Sequence, residues 1–305
     1  MAGSLGLSLG FGPGAARRRA GPSRAPLDGL ALYAAHGLRR MFSAHTGPLL
    51  RARRGSDHAQ ADFGPRGDGW LDIAALLAWG GSASVFLVTL YDQTGNDRHA
   101  GQSSAGAQPR LVQAGSAELG PGGRPVALFD GIDDWLAISD SLAFSQAQAN
   151  LTLAAVVART GVNAAAGNQQ IVYAPSGGTS VLTRASLALF AADGYRAVAG
   201  GRRLDTDAFT RVTAADALAP GIWGRLIGRV RYGAAQADIV VNGASTSGPF
   251  QTAGTSANTV QGARVLIGAT NTNGEPFSGG LSAVLLAQTA LDVAALDAAL
   301  GQMLP

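Results

Sequence analysis

The sequence predicts an all-β fold, a β-sandwich with short N-terminal helices and a C-terminal helix. Three observations predict it. Glycine supplies 43 of 305 residues, about twice its ordinary share of roughly 7%. Charged residues make up 14%, against roughly 25% in an average protein. Short β-branched and apolar runs recur between Gly, Asn, Asp and Pro, the pattern of many short strands joined by turns. A hydrophobic content of 47% is enough for one large core, and no repeat of fixed period is visible.

The elements follow in order. Residues 1–27 are rich in Gly, Ala, Pro, Ser and Arg, lack an apolar period, and read as a flexible arm. Residues 28–305 read as a single sandwich domain. Leu30, Leu32, Tyr33, Leu38 and Met41 suggest a short amphipathic helix ending near Phe42. A strand follows at 49–53. Asp72 is a fair N-cap for a helix over 73–79, closed by Gly80 and Gly81. Residues 85–91 are almost wholly apolar and read as a strand buried on both faces. Further strands are expected at 125–130, 135–138, 151–157, 170–173, 187–190, 195–199, 222–232, 237–241, 264–267 and 281–287. Asn242-Gly243 marks a two-residue hairpin turn. Residues 291–303 carry a helical apolar period, with Asp292 in the first turn.

All 23 basic residues are Arg, and the charge is uneven. Residues 1–54 carry a net charge of +8, whereas residues 55–305 carry −5. The basic arm could meet nucleic acid or an acidic protein surface, or be a solvated tail. Cysteine is absent, so no disulfide or thiolate metal site can form. No apolar run approaches the roughly 20 residues of a membrane span. The apolar stretch 1–12 precedes Arg17–Arg19 instead of following it, the wrong order for a secretory signal.

The polar loop after the 85–91 strand is the leading candidate site. Asp92, Gln93, Asn96, Asp97 and His99, with Tyr91 before them, offer donors and acceptors within a few residues. That mix suits sugar hydroxyls, which give and accept hydrogen bonds. A turn whose side chains cap their own backbone is the alternative. Trp70, Trp79, Trp135 and Trp223 are candidates for stacking on sugar rings, with Trp70, in a Gly-rich turn, the best exposed. Asp130, Asp133 and Asp134 could ligate Ca²⁺, but an exposed acidic turn is the simpler reading. The four histidines form no metal pair.

Two stretches carry a family resemblance. One runs from Tyr33 through Arg39-Arg40 and Thr46-Gly47-Pro48-Leu49-Leu50-Arg51 to Arg53-Arg54-Gly55-Ser56-Asp57. The other is Tyr91-Asp92-Gln93-Thr94-Gly95-Asn96 with His99. Together they resemble the catalytic β-sandwich of α-L-arabinofuranosidase B, glycoside hydrolase family 54. Residues 266–274 are similar to a loop of that domain, and the later strands resemble concanavalin A-like, laminin G-type sandwiches, which implies a jelly-roll arrangement of the strands. The resemblance implies retaining hydrolysis by two carboxyl groups about 5–5.5 Å apart. It places the acid/base on Thr270 and the nucleophile near 175–179, and neither place holds a carboxylate. Glu275, close to the first, could replace it, with Asp193, Asp205 or Asp207 as partner.

On those departures the sequence reads as a non-catalytic carbohydrate-binding protein. It has no catalytic residue, cofactor or metal, and its glycan contacts are Trp70, Tyr91, Asp92, Gln93, Asn96, Asp97, His99, Asn271 and Asn273. An arm joined to a sandwich resembles spike, fibre or tail components of phages and gene transfer agents. The expected place is therefore a virion or phage-like particle surface. There the arm would dock on capsid or tail proteins and not on nucleic acid, and several copies would grip a cell-surface polysaccharide. An active arabinofuranosidase-type hydrolase with relocated acids is the alternative.

Overall fold

The structure is a computed structural model that describes residues 25–139, 142–160, 167–176, 183–257, 264–270 and 274–305. Most of the proposed arm, and with it Asn271 and Asn273, lies outside the described residues. Leu27, at the end of the segment read as an arm, is fully buried.

The chain forms the predicted β-sandwich. One sheet runs Gln60–Phe63, Leu50–Arg54, Val85–Leu90, Ala100–Gly101, Leu136–Ile138, Arg264–Ile267, Gln169–Ser176, Ala185–Phe190, Arg196–Gly201 and Thr210–Ala217, each antiparallel to the next. The other runs Ala34–Gly37, Ser278–Ala287, Asn150–Arg159, Gly224–Arg231, Gln236–Val241 and Ala244–Pro249. Arg110–Gln113 and Ala127–Asp130 bridge them, pairing with Val85–Leu90 and Ser278–Ala287. The main core fills the space between the sheets, with Leu87, Phe129, Leu153, Leu187 and Leu286 among its members. A second core lies on the outer face of the second sheet, where Leu296, Leu300 and Met303 cover Ala154, Val156, Ile227 and Leu285.

Local chemistry explains the elements the sequence predicted. Helix Ile73–Gly80 starts where Asp72 accepts a hydrogen bond from the Ala75 N–H, and helix Val293–Gly301 where Asp292 accepts from Ala295. Each satisfies a backbone donor that the first helical turn leaves free. Asn242 (φ 51°) and Gly243 (φ 88°) make the turn between Gln236–Val241 and Ala244–Pro249; this left-handed pair matches the twist of the strands it joins.

Two expected elements differ. The helix expected over residues 30–42 is instead strand Ala34–Gly37, paired with Ser278–Ala287. Strand Val85–Leu90 is buried on one face only, with Phe86, Val88 and Thr89 half-buried on the other. Phe86 lies beneath the Arg53 guanidinium, 4.8 Å from its ring centroid.

Candidate functional site

The Tyr91–His99 loop is built by long-range hydrogen bonds. Asp92 is 4% exposed. Its Oδ1 accepts from the Ala35 and Thr94 N–H groups, and its Oδ2 from the Thr94 hydroxyl and the Arg98 N–H. Gln93 accepts from Met41 N–H and donates to the Gly37 and Arg39 carbonyls. The Asn96 amide donates to the Leu32 and Tyr33 carbonyls. These three side chains staple the 32–41 segment to the loop. Tyr91, Asp92, Gln93, Asp97 and His99 share the wall of a cavity of about 450 Å³ with His45 and Pro48. The His99 ring meets Tyr91 edge-on at 4.9 Å. Trp70 is elsewhere and is not exposed: at 4% exposure it packs against the guanidiniums of Arg39 and Arg124, 5.7 and 5.5 Å from its ring centroid.

A second cavity, of about 330 Å³, has different chemistry. Glu275, one of the chain's two glutamates, lines it together with Thr270 and Tyr173. Gly268 makes the approach possible: its φ is 94°, and a Cβ there would lie 2.5 Å from the Phe129 ring, so only glycine fits. Thr270 N–H then bonds to the Gly274 carbonyl, closing the loop. Glu275 itself has φ 48°, a conformation that costs a non-glycine residue roughly 1–3 kcal/mol and clusters at working sites. One of its carboxylate oxygens accepts from Asn168 and the other from Gln170, which fixes the group's orientation in the cavity.

The cavity's other walls are aromatic and cationic. Phe190 and Phe209 stand nearly parallel, 12° apart with centroids at 6.4 Å. Arg202 lies 5.8 Å from the Phe209 ring. Tyr173 is 5% exposed, and burial raises its phenol pKa, with the charge of Glu275 adding to the shift. Its hydroxyl therefore keeps its proton at neutral pH. Sequence reasoning singled out Glu275 and missed Phe190, at the end of strand Ala185–Phe190, and Arg202 and Phe209, in the connection between Arg196–Gly201 and Thr210–Ala217, none of which carries a local signal of function. The partners suggested for Glu275 are engaged elsewhere. Asp205 pairs with the buried Arg184, Asp207 accepts from Leu204 N–H, and Asp193 pairs with Arg211.

Asp130, Asp133 and Asp134 bring carboxylate oxygens within 4.8 Å of one another and could hold a cation. They also form a self-capped turn, Asp130 accepting from Ile132 and Asp133 N–H and Asp134 from Asp130 N–H. Burial pushes the Asp134 carboxyl up to about 7.

Comparison with known proteins adds a family direction. Residues 28–122 match the family model described as alpha-L-arabinofuranosidase B, catalytic. An alpha-L-arabinofuranosidase of Hypocrea jecorina is 37% identical over 79 residues, and an arabinofuranosidase/β-xylosidase of Trichoderma koningii is 35% identical over 79. Each alignment covers 26% of this chain and 16% of the relative. The crystal structure of an arabinofuranosidase complexed with arabinofuranosyl-α-1,2-xylobiose superposes with a TM-score of 0.61 at 13% identity, and a family 54 α-L-arabinofuranosidase soaked with a cyclic sulfate inhibitor with 0.63 at 14%. Both superpositions cover 90% of this chain and 62% of the other; they show a shared sandwich fold.

These matches correct the reading as a non-catalytic glycan adhesin. The matched model is that of a catalytic domain, and the relatives carry the names of hydrolases. The expected place on a virion or phage-like particle surface is corrected by the same finding, since the matching proteins are fungal arabinofuranosidases.

Proposed function

We propose that the chain is a glycoside hydrolase that cleaves α-L-arabinofuranosides at the Glu275 cavity. The observation that carries this reading is Glu275 itself. A carboxylate held by two amide donors, on a left-handed backbone, faces an aromatic cavity in a chain that matches an arabinofuranosidase catalytic model. Its volume falls in the range of pockets that take small ligands. Phe190 and Phe209 offer the apolar faces that sugar rings stack on.

The chemistry assigned to these residues is direct displacement by water. Glu275 accepts a proton from a water molecule as that water attacks the anomeric carbon. The glycosidic C–O bond breaks, and the leaving oxygen takes a proton from the Tyr173 hydroxyl. Glu275 then releases its proton to solvent and the tyrosinate takes one up, which restores both groups. Arg202 holds positive charge beside the phenol and steadies the tyrosinate as it forms.

The test is release of 4-nitrophenol from 4-nitrophenyl α-L-arabinofuranoside. Wild type is expected to turn over, and Glu275→Gln to lose at least about 100-fold in kcat, the usual size of a general base contribution. Tyr173→Phe is expected to slow cleavage of an arabino-oligosaccharide far more than that of the nitrophenyl substrate, whose leaving group needs no proton. Absence of turnover in well-folded wild type, with either substrate, rejects the reading.

A further inference from the structure

The sheet face that carries Tyr173 also carries a second open groove. The register shows this. Tyr173 lies opposite Leu266, Leu266 opposite Ala137, Ala137 opposite Gly101, and Gly101 opposite Thr89. Directly opposed residues of antiparallel strands point to the same face. Trp135 and Arg264 stand two residues from Ala137 and Leu266 and so share it. At a strand spacing of about 4.8 Å, the row from Tyr173 to Thr89 spans roughly 19 Å. At its far end the groove measures about 550 Å³ and is lined by residues of that row, Thr89, Gly101 and Ala137, together with Trp135 and Arg264.

The two cations in this groove differ. Arg51 forms a two-pronged ion pair with Asp62, so its charge is largely answered. The Arg264 guanidinium lies 5.4 Å from the centroid of the half-buried Trp135 ring, and no carboxylate among the described residues pairs with it. An indole steadies a guanidinium by cation–π attraction but leaves the charge in place. An apolar ring beside an unanswered, planar, two-pronged donor meets two features at once: the C–H face of a sugar and a carboxylate.

We propose that this groove is a binding subsite for a uronate-bearing stretch of polysaccharide, with Trp135 under a sugar ring and Arg264 on the uronate carboxylate. It rests on the hydrolase reading only in one respect: a main chain bound here runs along the shared face toward the Glu275 cavity, where its arabinosyl branch is cut. A carboxylate at this position gives affinity that a neutral chain of the same length lacks.

The experiment is titration calorimetry on full-length Glu275→Gln protein, so that no probe is consumed. One probe is a xylo-oligosaccharide bearing a single glucuronate; the other is the same molecule with its carboxylate reduced to the alcohol. The acidic probe is expected to bind about ten-fold more tightly at low salt, and the preference to shrink toward none in 1 M NaCl, where screening is strong. Adding Arg264→Gln is expected to abolish the preference while leaving affinity for the reduced probe unchanged. Adding Trp135→Ala is expected to weaken both probes. Equal affinity for the two probes, or a preference that survives either high salt or Arg264→Gln, overturns the proposal. The salt series needs no groove variant, so it decides even if Arg264→Gln does not fold. Failure of arabinoside hydrolysis overturns the function proposed above and leaves this binding result standing.

Discussion

Asp92 accepts four hydrogen bonds, and one of its donors, the Ala35 N–H, comes from 57 residues earlier. Asp92→Ala leaves that buried N–H without a partner. A loss of about 2–4 kcal/mol is expected, since a buried donor left unsatisfied costs more than the bond was worth. Urea unfolding checks it; an unchanged midpoint means that the loop is no staple. The polar inventory of this loop was legible in the sequence, but its use was not. Composition reveals donors and acceptors, whereas the carbonyls of Leu32 and Tyr33 that occupy Asn96 arrive from more than 60 residues away. Trp70 was misread for a similar reason, because nothing in its Gly-rich turn reveals that Arg39 and Arg124 cover it. Asp134 gives a pH prediction. Its carboxyl is raised by burial to about 7 in the folded protein from an ordinary value of 3.8. The native state therefore binds the extra proton between those values, so this group's contribution to stability falls as pH rises from about 4 to 7. Asp134→Asn is expected to raise Tm relative to wild type at pH 8, by on the order of 2 kcal/mol of stability, and to have little effect at pH 4. A difference that does not change with pH rejects this account.

At the scale of elements, signals confined to a few neighbouring residues were the readable ones. Asp72 and Asp292 cap the helices they precede, and Asn242-Gly243 turns the hairpin. Strand Ala34–Gly37 was not readable, because its apolar neighbours serve two cores. Tyr33 and Leu38 belong to the main core, whereas Leu32 and Met41 belong to the second, and the resulting spacing imitates one face of a helix. Strand Val85–Leu90 was over-read as fully buried because its outer face lies under Arg53 and along the groove. The turn that brings Glu275 to its cavity depends on Gly268, whose need for a left-handed backbone is not visible in its neighbours. Gly268→Ala combines a left-handed backbone with a Cβ against Phe129 and is expected to cost about 2–4 kcal/mol. It should also displace Glu275, so nitrophenol release should fall more than the population of folded protein does. Calorimetric unfolding beside the activity assay separates the two.

Over the whole molecule, the second core makes the C-terminal helix part of the fold and not an appendage. Removing residues 292–305 uncovers Ala154, Val156 and Leu285 by taking away Leu296, Leu300 and Met303. A loss on the order of 5 kcal/mol is expected from that much apolar exposure, visible as a lower urea midpoint and as dye-binding surface. The first described strand, meanwhile, pairs with the last: Ala34 lies opposite Leu286. Residues 28–122, the stretch that matches the family model, therefore leave the ribosome before the partner of their opening strand has been made. At roughly 5–20 residues per second, that strand waits on the order of ten to fifty seconds for its neighbour. The nascent half-sandwich spends this interval with an unpaired edge, a period in which a chaperone holding residues 34–37 would decide how much of each chain reaches the native state.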